Sequence, residues 1–513
     1  MQNNFFYGKD QLTVQTAILL AQKKIKGSLL EETIEKIHQS QRYVQHMAET
    51  GKTVYGITTG FGILANTKIS EEDTATLQYK ILQSHSVGVG APVPEEIVRL
   101  MIITKVHALS KGFSGVQLST IERLLWHLDN DVIPVVPEQG SVGASGDLAP
   151  LAHLCLPLIG LGEVFHNGEK QSTAAVLSNL KMRAVTLGPK EGLALINGTQ
   201  FILAFAIKAV QRMQNCLEAA DIIGAMSLEA LTGTKAPFDE RLHQLRPFEG
   251  SRLVAERLRL LLHDSEIMQS HIDCGRVQDP YSLRCMPQVH GASRNAWLHL
   301  KTLTEIEANS VTDNPIVFGE DDTISGGNFH GQPLALPLDY ACFAASEIGN
   351  ISDRRCYLLL EGKWGLPMLL MKKVGLNSGF MIPQYTTAAL VSENKTLCFP
   401  GSADSIPTSL GQEDHVSMGS ISGRKLNKVL DNLEYILAIE LLTACQAIEF
   451  RRPLRSSALL EYAHDYVREF VGFAEEDRIF ANDINQIKNI IADFSFVSNV
   501  NRFASSKEIP LSS

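Results

Sequence analysis

The segment at residues 140–150 is the part of the chain whose residue types and spacing most strongly suggest chemistry. It reads GSVGASGDLAP, with glycines at positions 140, 143 and 146. A phosphate-binding loop would need Lys-Ser or Lys-Thr after the last glycine, and a dinucleotide fingerprint would need the pattern G-x-G-x-x-G, so the segment fits neither. Two interpretations remain. The segment is either a tight turn whose glycines adopt positive φ, or a stretch of backbone that reacts with itself.

Three of these residues, Ala144, Ser145 and Gly146, can close a ring if they are held in a strained bend. The amide nitrogen of Gly146 would bond to the carbonyl carbon of Ala144, and water would be lost. Loss of the Ser145 hydroxyl as a second water would leave an exocyclic methylidene, and the product would be a 4-methylideneimidazol-5-one. Gly146 lets its nitrogen approach closely, Ser145 supplies the leaving hydroxyl, and the small Ala144 leaves room. The covalent interpretation therefore predicts an electrophile built from the backbone.

The same segment, continued to His153, resembles the signature of the aromatic amino acid ammonia-lyases and aminomutases, whose prosthetic group is this ring. Further similar motifs follow in the family's order along nearly the whole chain: YGITTGFG at 55–62, SH at 84–85, LALINGT at 193–199, QDPYSLRC at 278–285, TDNP at 312–315, GGNFH at 326–330 and RPL at 452–454. Residues 60–65 also match G-x-G-x-x-A, but no βαβ pattern follows them, which disfavours a dinucleotide site. The resemblance implies an almost entirely helical fold and a homotetramer whose active sites are each built from several subunits.

The resemblance also implies elimination of ammonia from an amino acid, which requires a strong electrophile and a positioned base. The electrophile would be the ring formed from residues 144–146, without an external organic cofactor, and Ser145 would become dehydroalanine. Tyr55 would remove the β-proton, so its surroundings must lower a pKa that is ordinarily about 10. Without its motif, Tyr55 would be interpreted as a core aromatic with a hydrogen-bonded hydroxyl. Tyr281 would help to position the ring and the amine or assist proton movement.

Other positions that match the family's motifs would bind the substrate. Arg284 would hold the carboxylate, because a guanidinium group grips a carboxylate through two parallel hydrogen bonds; a structural ion pair is the alternative. Asn197 would form a hydrogen bond with the carboxylate or with the ring oxygen. Supporting roles around the same pocket are implied for Gln278, Asn314 and Phe329.

Two motifs indicate which amino acid is bound. His85 stands where the histidine- and tyrosine-type members of the family carry histidine and the phenylalanine-type members tend to carry an apolar residue. Residues 412–419, QEDHVSMG, resemble the histidine-type form, in which Gln412 and Glu413 would contact the substrate. Glu413 can accept an imidazole N–H, whereas a phenyl substrate would leave its carboxylate unpaired. We therefore expect conversion of L-histidine to trans-urocanate, the first step of histidine degradation. A lyase or 2,3-aminomutase acting on tyrosine or another aromatic amino acid is the alternative.

Four positions depart from the histidine-type pattern and leave the pocket shape open: Met286, His290, Gly331 and Gln332. The acidic and histidine residues at 413–415 could instead form a surface cluster or bind a metal, but no HExxH or similarly spaced set accompanies them, and no metal is predicted. A non-catalytic helical scaffold, or a fumarase-like lyase that uses side chains alone, is a hypothesis of a different class. The ring-forming segment disfavours both.

The elements that must position these residues are expected to be mainly helical. Apolar residues recur at three- and four-residue spacings over 199–232, 337–360 and 425–450, which predicts long helices packed as a bundle. Glycine and proline interrupt residues 1–198, which predicts loops between helices and short strands. We divide the chain into a loop-rich N-terminal region at 1–198 with the ring segment and Tyr55, a long-helix bundle at 199–450, and a C-terminal helical region at 451–513. With the resemblance, the expected fold is mainly α, a long-helix bundle of the ammonia-lyase and fumarase-like type.

Composition limits the partners. Of the 513 residues, 44% are hydrophobic and 20% are charged, and these fractions are typical of globular proteins. The net charge is −10. No basic run appears, which argues against nucleic acid, and no apolar stretch reaches the roughly 20 residues of a membrane span. The N-terminal residues lack a secretory pattern, and the eight scattered cysteines include no CxxC pair. We therefore expect a cytoplasmic protein with free thiols.

Overall fold

The structure is a computed structural model that describes residues 4–50, 54, 56–57, 59, 71–272 and 275–511. Helices make up most of these residues, and the predicted mainly α class is confirmed. In chain order the helices are α1 (Val14–Ala21), α2 (Glu31–Glu49), α3 (Glu71–His85), α4 (Glu95–Leu109), α5 (Leu118–Asp129), α6 (Leu148–Cys155), α7 (Thr173–Asn179), α8 (Glu191–Ile196), α9 (Gln200–Ala230), α10 (Glu240–Leu245), α11 (Glu249–Leu261), α12 (Glu266–Gln269), α13 (Tyr281–Arg284), α14 (Met286–Ala308), α15 (Gln332–Leu360), α16 (Met381–Leu397), α17 (Gly419–Glu449), α18 (Ala458–Arg468), α19 (Phe480–Ala492) and α20 (Ser495–Ser506).

In the described residues the strands are short and form four small sheets. They are β1 (Asn4–Phe6), β2 (Lys26–Ser28), β3 (Val89–Pro92), β4 (Ile133–Pro134), β5 (Pro137–Gln139), β6 (Glu163–His166), β7 (Glu169–Ser172), β8 (Ile316–Gly319) and β9 (Asp322–Ile324). β1 pairs with β2 in parallel, whereas β3 with β5, β4 with β6, β6 with β7 and β8 with β9 are antiparallel. Most of them interrupt the first 198 residues, where glycine and proline predicted short strands and loops.

The chain forms two compact units, each assembled from three separate segments. The first unit contains residues 1–209, 300–339 and 400–424, and the second contains residues 210–299, 340–399 and 425–513. Their boundaries at 209/210, 299/300, 339/340 and 424/425 fall within α9, α14, α15 and α17. The three consecutive regions expected from the sequence describe where loop-rich and helix-rich sequence alternates, and as a division into domains they stay a prediction.

In the first unit, α4 is a central buried element. Every residue of α4 from Ile97 to Leu109 is buried or nearly buried except Arg99, and the buried set includes the polar side chains Thr104, Lys105 and His107. A helix that is apolar almost all round belongs to a core rather than to a surface. The buried Lys105 therefore requires hydrogen-bond partners in the interior, and these lie at the candidate site described below.

In the second unit, α17 shows how closely the apolar pattern predicts a core helix. The predicted stripe from Leu426 to Leu442 is buried throughout, and residues 436–448 are buried on all sides of the helix. The long helices expected near 199–232 and 425–450 are confirmed as α9 and α17. The expected start of the third, at Pro337, was wrong: α15 begins at Gln332 and continues through Pro337. Because proline lacks the backbone N–H that a helix interior uses, a helix that runs through Pro337 is not expected from residue types alone. None of the helices in the described residues is both long enough and apolar enough to cross a membrane.

Candidate active site

The predicted ring segment lies just before α6 and is clamped on two sides within the first unit. On one side, the Met418 amide donates to the Val142 carbonyl at 3.0 Å and the Ser420 hydroxyl donates to the Ser141 carbonyl at 2.7 Å. On the other side, the Asp147 amide donates to the Gly198 carbonyl at 2.8 Å. The backbone of this loop is therefore positioned by segments that are distant in sequence.

Gly146 makes the closest of these approaches. Its φ is +77°, and a β-carbon added there would lie 2.1 Å from the carbonyl oxygen of Gly198, with which Gly146 forms an isolated parallel bridge. No side chain fits at this distance, and L-residues rarely adopt this φ. Ala144 is buried against Val416 and Met418, so the space beside it is also restricted. The local geometry thus requires glycine at position 146 and favours a small residue at position 144.

Asp147 anchors the loop to the start of α9. Its Oδ2 accepts hydrogen bonds from the amides of Phe201 and Ile202 at 3.0 and 2.9 Å, and its Oδ1 accepts one from the Ser141 hydroxyl at 3.1 Å. These bonds satisfy amides in the first turn of a helix, where no intrahelical acceptor exists. Burial raises the pKa of Asp147 to about 7, against the opposing effect of these hydrogen bonds.

The Glu413 carboxylate faces Ser145. The Ser145 hydroxyl donates to Oε1 of Glu413 at 3.3 Å, and Oε2 accepts hydrogen bonds from the hydroxyls of Thr408 and Ser409 at 2.8 and 3.0 Å. This places a carboxylate beside the side chain that the predicted ring chemistry would convert. The two residues are 268 positions apart in the chain.

His85 ends α3 and lies within the electrostatic reach of Glu413. Its Nδ1 is 3.0 Å from the Ser84 hydroxyl. Burial lowers the pKa of His85, and the Glu413 charge opposes that effect. A half-buried imidazole therefore lies near enough to Glu413 for the carboxylate charge to affect its pKa.

Asn197 is buried immediately before the Gly198 contact. Its side-chain amide donates to the Leu193 carbonyl at 3.1 Å, and its backbone carbonyl accepts a hydrogen bond from the Lys105 ammonium at 2.5 Å. Burial lowers the pKa of Lys105 to about 8, although Asp313 opposes this. The buried lysine of α4 thus holds the backbone segment against which Gly146 packs.

The Asn314 side chain forms hydrogen bonds with the neighbouring loop at residues 325–326. Its Nδ2 donates to the Ser325 hydroxyl at 3.1 Å and its Oδ1 accepts from the Gly326 amide at 2.8 Å. Next to it, Asp313 forms a buried ion pair with Lys190 at 2.5 Å. The Asn314 side chain therefore orients the wall formed by residues 325–326.

Some of these groups line a cavity of about 480 Å³, within the size range of small-molecule sites, but the predicted residues His85 and Gly146 are not among its lining residues. Seven of the predicted site residues line it: Ala144, Ser145, Asn197, Asn314, Phe329, Gln412 and Glu413. The other lining residues are Ser325, Gly326, His330, Asp414 and His415. The rings of His330 and His415 stack with their centroids 5.7 Å apart. A polar cavity lined by the carboxylates of Glu413 and Asp414 and by the Ser145 side chain suits a small polar ligand that carries hydrogen-bond donors.

Three predicted residues belong to the second unit and are not among the cavity residues. Gln278 is exposed, and Tyr281 is 71% exposed with the Arg284 guanidinium 4.3 Å above its ring. The Nε of Arg284 is buried without a hydrogen-bond partner among the described residues. A further predicted residue, Tyr55, lies outside the described residues.

The four departures from the histidine-type pattern have packing roles. Met286 and His290 are fully buried in the second unit, where His290 Nδ1 lies 2.8 Å from Asp221. In the first unit, Gly331 packs close to the ends of the Ile202 and Ser417 side chains, and a β-carbon there would lie 2.7 Å from Ile202 Cδ1. The Gln332 side chain donates to the Ser402 carbonyl at 3.5 Å. None of the four is among the residues that line the cavity.

Some site residues carried no local signal in the sequence. Thr408 and Ser409 precede the motif at 412–419 by a few positions, and Lys105 and Asp147 reach the site only through tertiary contacts. His330, Asp414 and His415 lie inside motifs already noted but had no assigned role. A lysine within the mostly apolar stretch at 97–109 is the one sequence signal that could have drawn attention to Lys105.

Comparison with known proteins agrees with the motifs. The family model described as aromatic amino acid lyase matches residues 12–469. A histidine ammonia-lyase from Pseudoalteromonas atlantica is 45% identical over 497 residues, which is 96% of this chain and 98% of the relative. The crystal structure of histidine ammonia-lyase from Trypanosoma cruzi is 40% identical with a TM-score of 0.90, and covers 98% of this chain and 95% of its own.

A second solved structure has a different named activity. The tyrosine aminomutase from Streptomyces globisporus is 33% identical with a TM-score of 0.93, over 97% of this chain and 98% of its own. Relatives that share the fold thus differ in what their names say they do. The match of the family model to most of the chain, together with these similarities over nearly its full length, shows that the chain belongs to the aromatic amino acid lyase family.

Proposed function

We propose that this protein eliminates ammonia from L-histidine to give trans-urocanate, as a histidine ammonia-lyase. The observation that carries the proposal is the Glu413 carboxylate, which lies 3.3 Å from the Ser145 hydroxyl in a polar cavity and within the electrostatic reach of His85. The cavity-facing oxygen of that carboxylate can accept an imidazole N–H, whereas a phenyl side chain offers it no donor. The names of the histidine-specific relatives support the same substrate.

The residues present fit a methylideneimidazolone formed from Ala144, Ser145 and Gly146. Gly146 packs against Gly198 at a distance that excludes any side chain, and Ser145 opens onto the cavity. Ring closure would join the Gly146 nitrogen to the Ala144 carbonyl carbon with loss of one water, and elimination of the Ser145 hydroxyl with its α-hydrogen would release a second. Once formed, the ring supplies an electrophilic carbon that converts the substrate amine into a better leaving group.

The chain's own side chains would bind the substrate and move its proton. Glu413 would hold the imidazole and Asn197 the carboxylate or ring oxygen, with Gln412 and Phe329 as further walls. Tyr55 would take the β-proton, while the electrons of that C–H bond form the double bond of urocanate and the C–N bond breaks. We assign the carboxylate contact to Arg284 and a supporting position to Gln278 and Tyr281.

We further propose that the protein acts as a homotetramer with active sites shared between subunits. The support lies on α15, a mostly buried helix in which positions 333, 336, 340, 343, 347, 354 and 357 are exposed and position 350 is half-buried. Three are the half-exposed aromatic residues Tyr340, Phe343 and Tyr357. Alternating spacings of three and four suit helix packing against another copy. Tyr281 lies beside this stripe, in a groove that also contains Glu347 and Arg354.

The cytoplasm is the proposed location. The seven cysteines in the described residues are free, and five of them are buried. Unpaired thiols are typical of proteins in reducing compartments.

Incubation of the purified protein with L-histidine, L-tyrosine and L-phenylalanine in parallel tests the substrate. Urocanate from L-histidine, seen by its ultraviolet absorbance and released ammonia, is the expected result. Coumarate from L-tyrosine without urocanate would overturn the substrate assignment and leave the ring chemistry in place. A β-amino acid product, separated by chromatography, would indicate an aminomutase instead.

Mixing two inactive variants tests the shared site. Ser145→Ala and Arg284→Ala should each be inactive alone, and subunit exchange between them should restore part of the activity if Ser145 and Arg284 of one site come from different copies. No recovery, in a sample whose exchange is verified by native mass spectrometry, would contradict sharing between those two residues.

A further inference from the structure

The two oxygens of the Glu413 carboxylate have different surroundings. Oε2 accepts hydrogen bonds from the hydroxyls of Thr408 and Ser409 at 2.8 and 3.0 Å. Oε1 faces the cavity and the Ser145 hydroxyl at 3.3 Å. A carboxylate with one oxygen held by two donors cannot rotate freely, so the other oxygen keeps one direction.

The backbone around Glu413 reinforces this arrangement. Thr408 and Glu413 form an isolated antiparallel bridge, with the Thr408 amide donating to the Glu413 carbonyl at 2.9 Å. Thr408 is therefore joined to Glu413 through both its backbone and its side chain. The bridge closes a small loop of residues 408–413, and the hydroxyl donors belong to the same loop as the carboxylate they hold.

The loop is built at a conformational cost. Ser409 and Leu410 adopt φ values of +49° and +52°, in the left-handed region that side chains disfavour. The Leu410 side chain is 90% exposed, so no apolar contact within this chain explains its conformation. Strained residues of this kind persist where the surrounding contacts determine them, and they concentrate at functional sites. Ser409, the first of these two residues, is the one whose hydroxyl donates to Glu413.

We propose that Thr408 and Ser409 are positioning residues that set substrate specificity through Glu413. Their hydroxyl groups saturate one carboxylate oxygen and direct the other toward the place where a substrate ring N–H would lie. The inference rests on the proposed function, because the ring N–H is that of L-histidine. Loss of a donor should weaken the recognition of an imidazole and leave unaffected any substrate that makes no use of the carboxylate.

A matched pair of substitutions at position 408 tests the side-chain contact. Thr408→Val keeps the shape and removes the hydroxyl, whereas Thr408→Ser keeps the hydroxyl. We expect Thr408→Val to lower kcat/KM for L-histidine by about tenfold, chiefly through KM, as loss of one hydrogen bond to a charged group implies. Thr408→Ser should restore it to within about threefold. Equal losses in both variants would overturn the proposal.

A double-mutant cycle separates a positioning role from a general structural one. In a Glu413→Gln background, Thr408→Val should have little further effect on kcat/KM, because the group it positions is already altered. The preference for L-histidine over L-phenylalanine should fall in Thr408→Val and Ser409→Ala, since any residual turnover of L-phenylalanine does not involve Glu413. Additive losses, or an unchanged preference, would contradict action through Glu413.

Ser405→Ala is the control for loosening of the loop. Ser405 lies a few residues before the bridge, and its hydroxyl accepts a hydrogen bond from the Val416 amide at 3.0 Å instead of donating to Glu413. We expect kcat/KM for this variant to stay within about threefold of the unmodified protein. A tenfold loss equal to that of Thr408→Val would assign the effect to the loop as a whole and overturn the proposal.

Crystal structures of the unmodified protein and of Thr408→Val give a readout that does not depend on turnover. We expect the Glu413 carboxylate to hold one orientation toward residue 145 in the first and to rotate or split between conformers in the second. An unchanged carboxylate in Thr408→Val would overturn the inference. Failure of the unmodified protein to consume L-histidine would instead overturn the proposed function, and the two crystal structures would still test the positioning contacts.

Discussion

Two carboxylates, one in each unit, have contrasting surroundings. Asp221, in the second unit, is fully buried and is enclosed by Arg257 at 2.9 Å, Arg294 at 2.5 Å and His290 at 2.8 Å. Burial alone would raise the pKa of Asp221, but Arg294, His290 and Arg257 outweigh it and hold that pKa well below its usual value. Glu413, in the first unit, is held by neutral hydroxyls and keeps one oxygen toward a cavity.

The difference shows what each carboxylate is available for. Two guanidinium groups neutralise Asp221, so its charge contributes to the packing of the unit and has no capacity left for a ligand. Hydroxyl donors orient Glu413 without neutralising it, and its charge stays available to a partner that enters the cavity. Substitution of Asp221 should therefore change the stability of the protein, whereas substitution of the cavity residues should change its activity.

Among substitutions of the cavity residues, Ser145→Ala should cause the largest loss of activity. Removal of the hydroxyl prevents formation of the methylidene, so we expect activity on L-histidine to fall by at least about a thousandfold. The thermal unfolding midpoint should change by no more than a few degrees, because Ser145 is only half-buried. Steady-state kinetics and thermal unfolding check the two parts, and substantial residual turnover would contradict the covalent mechanism.

Asp221→Asn should give the largest effect on stability. The substitution leaves Arg257 and Arg294 buried without a countercharge, for which we expect a loss of about 3–5 kcal/mol in the free energy of unfolding. Chemical denaturation measures this loss. The activity per folded molecule should stay close to that of the unmodified protein, and a specific loss of kcat in fully folded Asp221→Asn protein would contradict a purely structural role for Asp221.

Glu413→Gln should lower activity and leave stability almost unchanged, the reverse of Asp221→Asn. The free energy that corresponds to the lost activity should be smaller than the loss of stability in Asp221→Asn. The amide keeps the size of the side chain but removes the charge that would hold the imidazole. We expect kcat/KM for L-histidine to fall by up to about a hundredfold, with unfolding unchanged within about 0.5 kcal/mol. Kinetics and denaturation on the same preparation provide the measurement. A strongly destabilised variant with normal turnover would show that Glu413 is structural, like Asp221.

Asp147→Asn should give the smallest effect and one that depends on pH. Because the folded pKa of Asp147 is raised to about 7, the native state binds the extra proton, and this contribution to stability is lost as the pH rises from about 4 through 7. The unmodified protein should therefore lose on the order of 2 kcal/mol relative to Asp147→Asn between pH 5 and pH 8. Unfolding of both proteins at the two pH values gives the comparison, and parallel pH dependences would show that Asp147 keeps its charge when folded.

Much of the fold could be predicted because the buried face of a helix is visible in the spacing of apolar residues that are close in sequence. The spacing of Val429, Leu433 and Ile436 predicts the buried stripe of α17 from neighbouring residues alone. The error at the start of α15 has the same origin, since a proline near a helix start does not say whether it lies in the first or second turn. The assembly of each unit from three distant segments has no local signature.

The candidate site could be predicted only in part, for a similar reason. The motifs identified Ser145, Asn197 and Glu413 by resemblance, and the structure brings them to one cavity. Thr408 and Lys105 could not be found in this way. Their roles depend on which backbone or carboxylate group happens to lie within hydrogen-bond distance after folding.

The sequence by itself determined the helices, the glycine-rich segment that can cyclise and the chemical nature of the groups that act near it. Tertiary structure decided which groups meet: that Gly198 packs on Gly146, that Asp147 holds the start of α9, and that Glu413 turns one oxygen toward Ser145. Helix formation depends on residues within a turn or two of one another. A hydrogen bond between residues 145 and 413 depends on every element that lies between them in the fold.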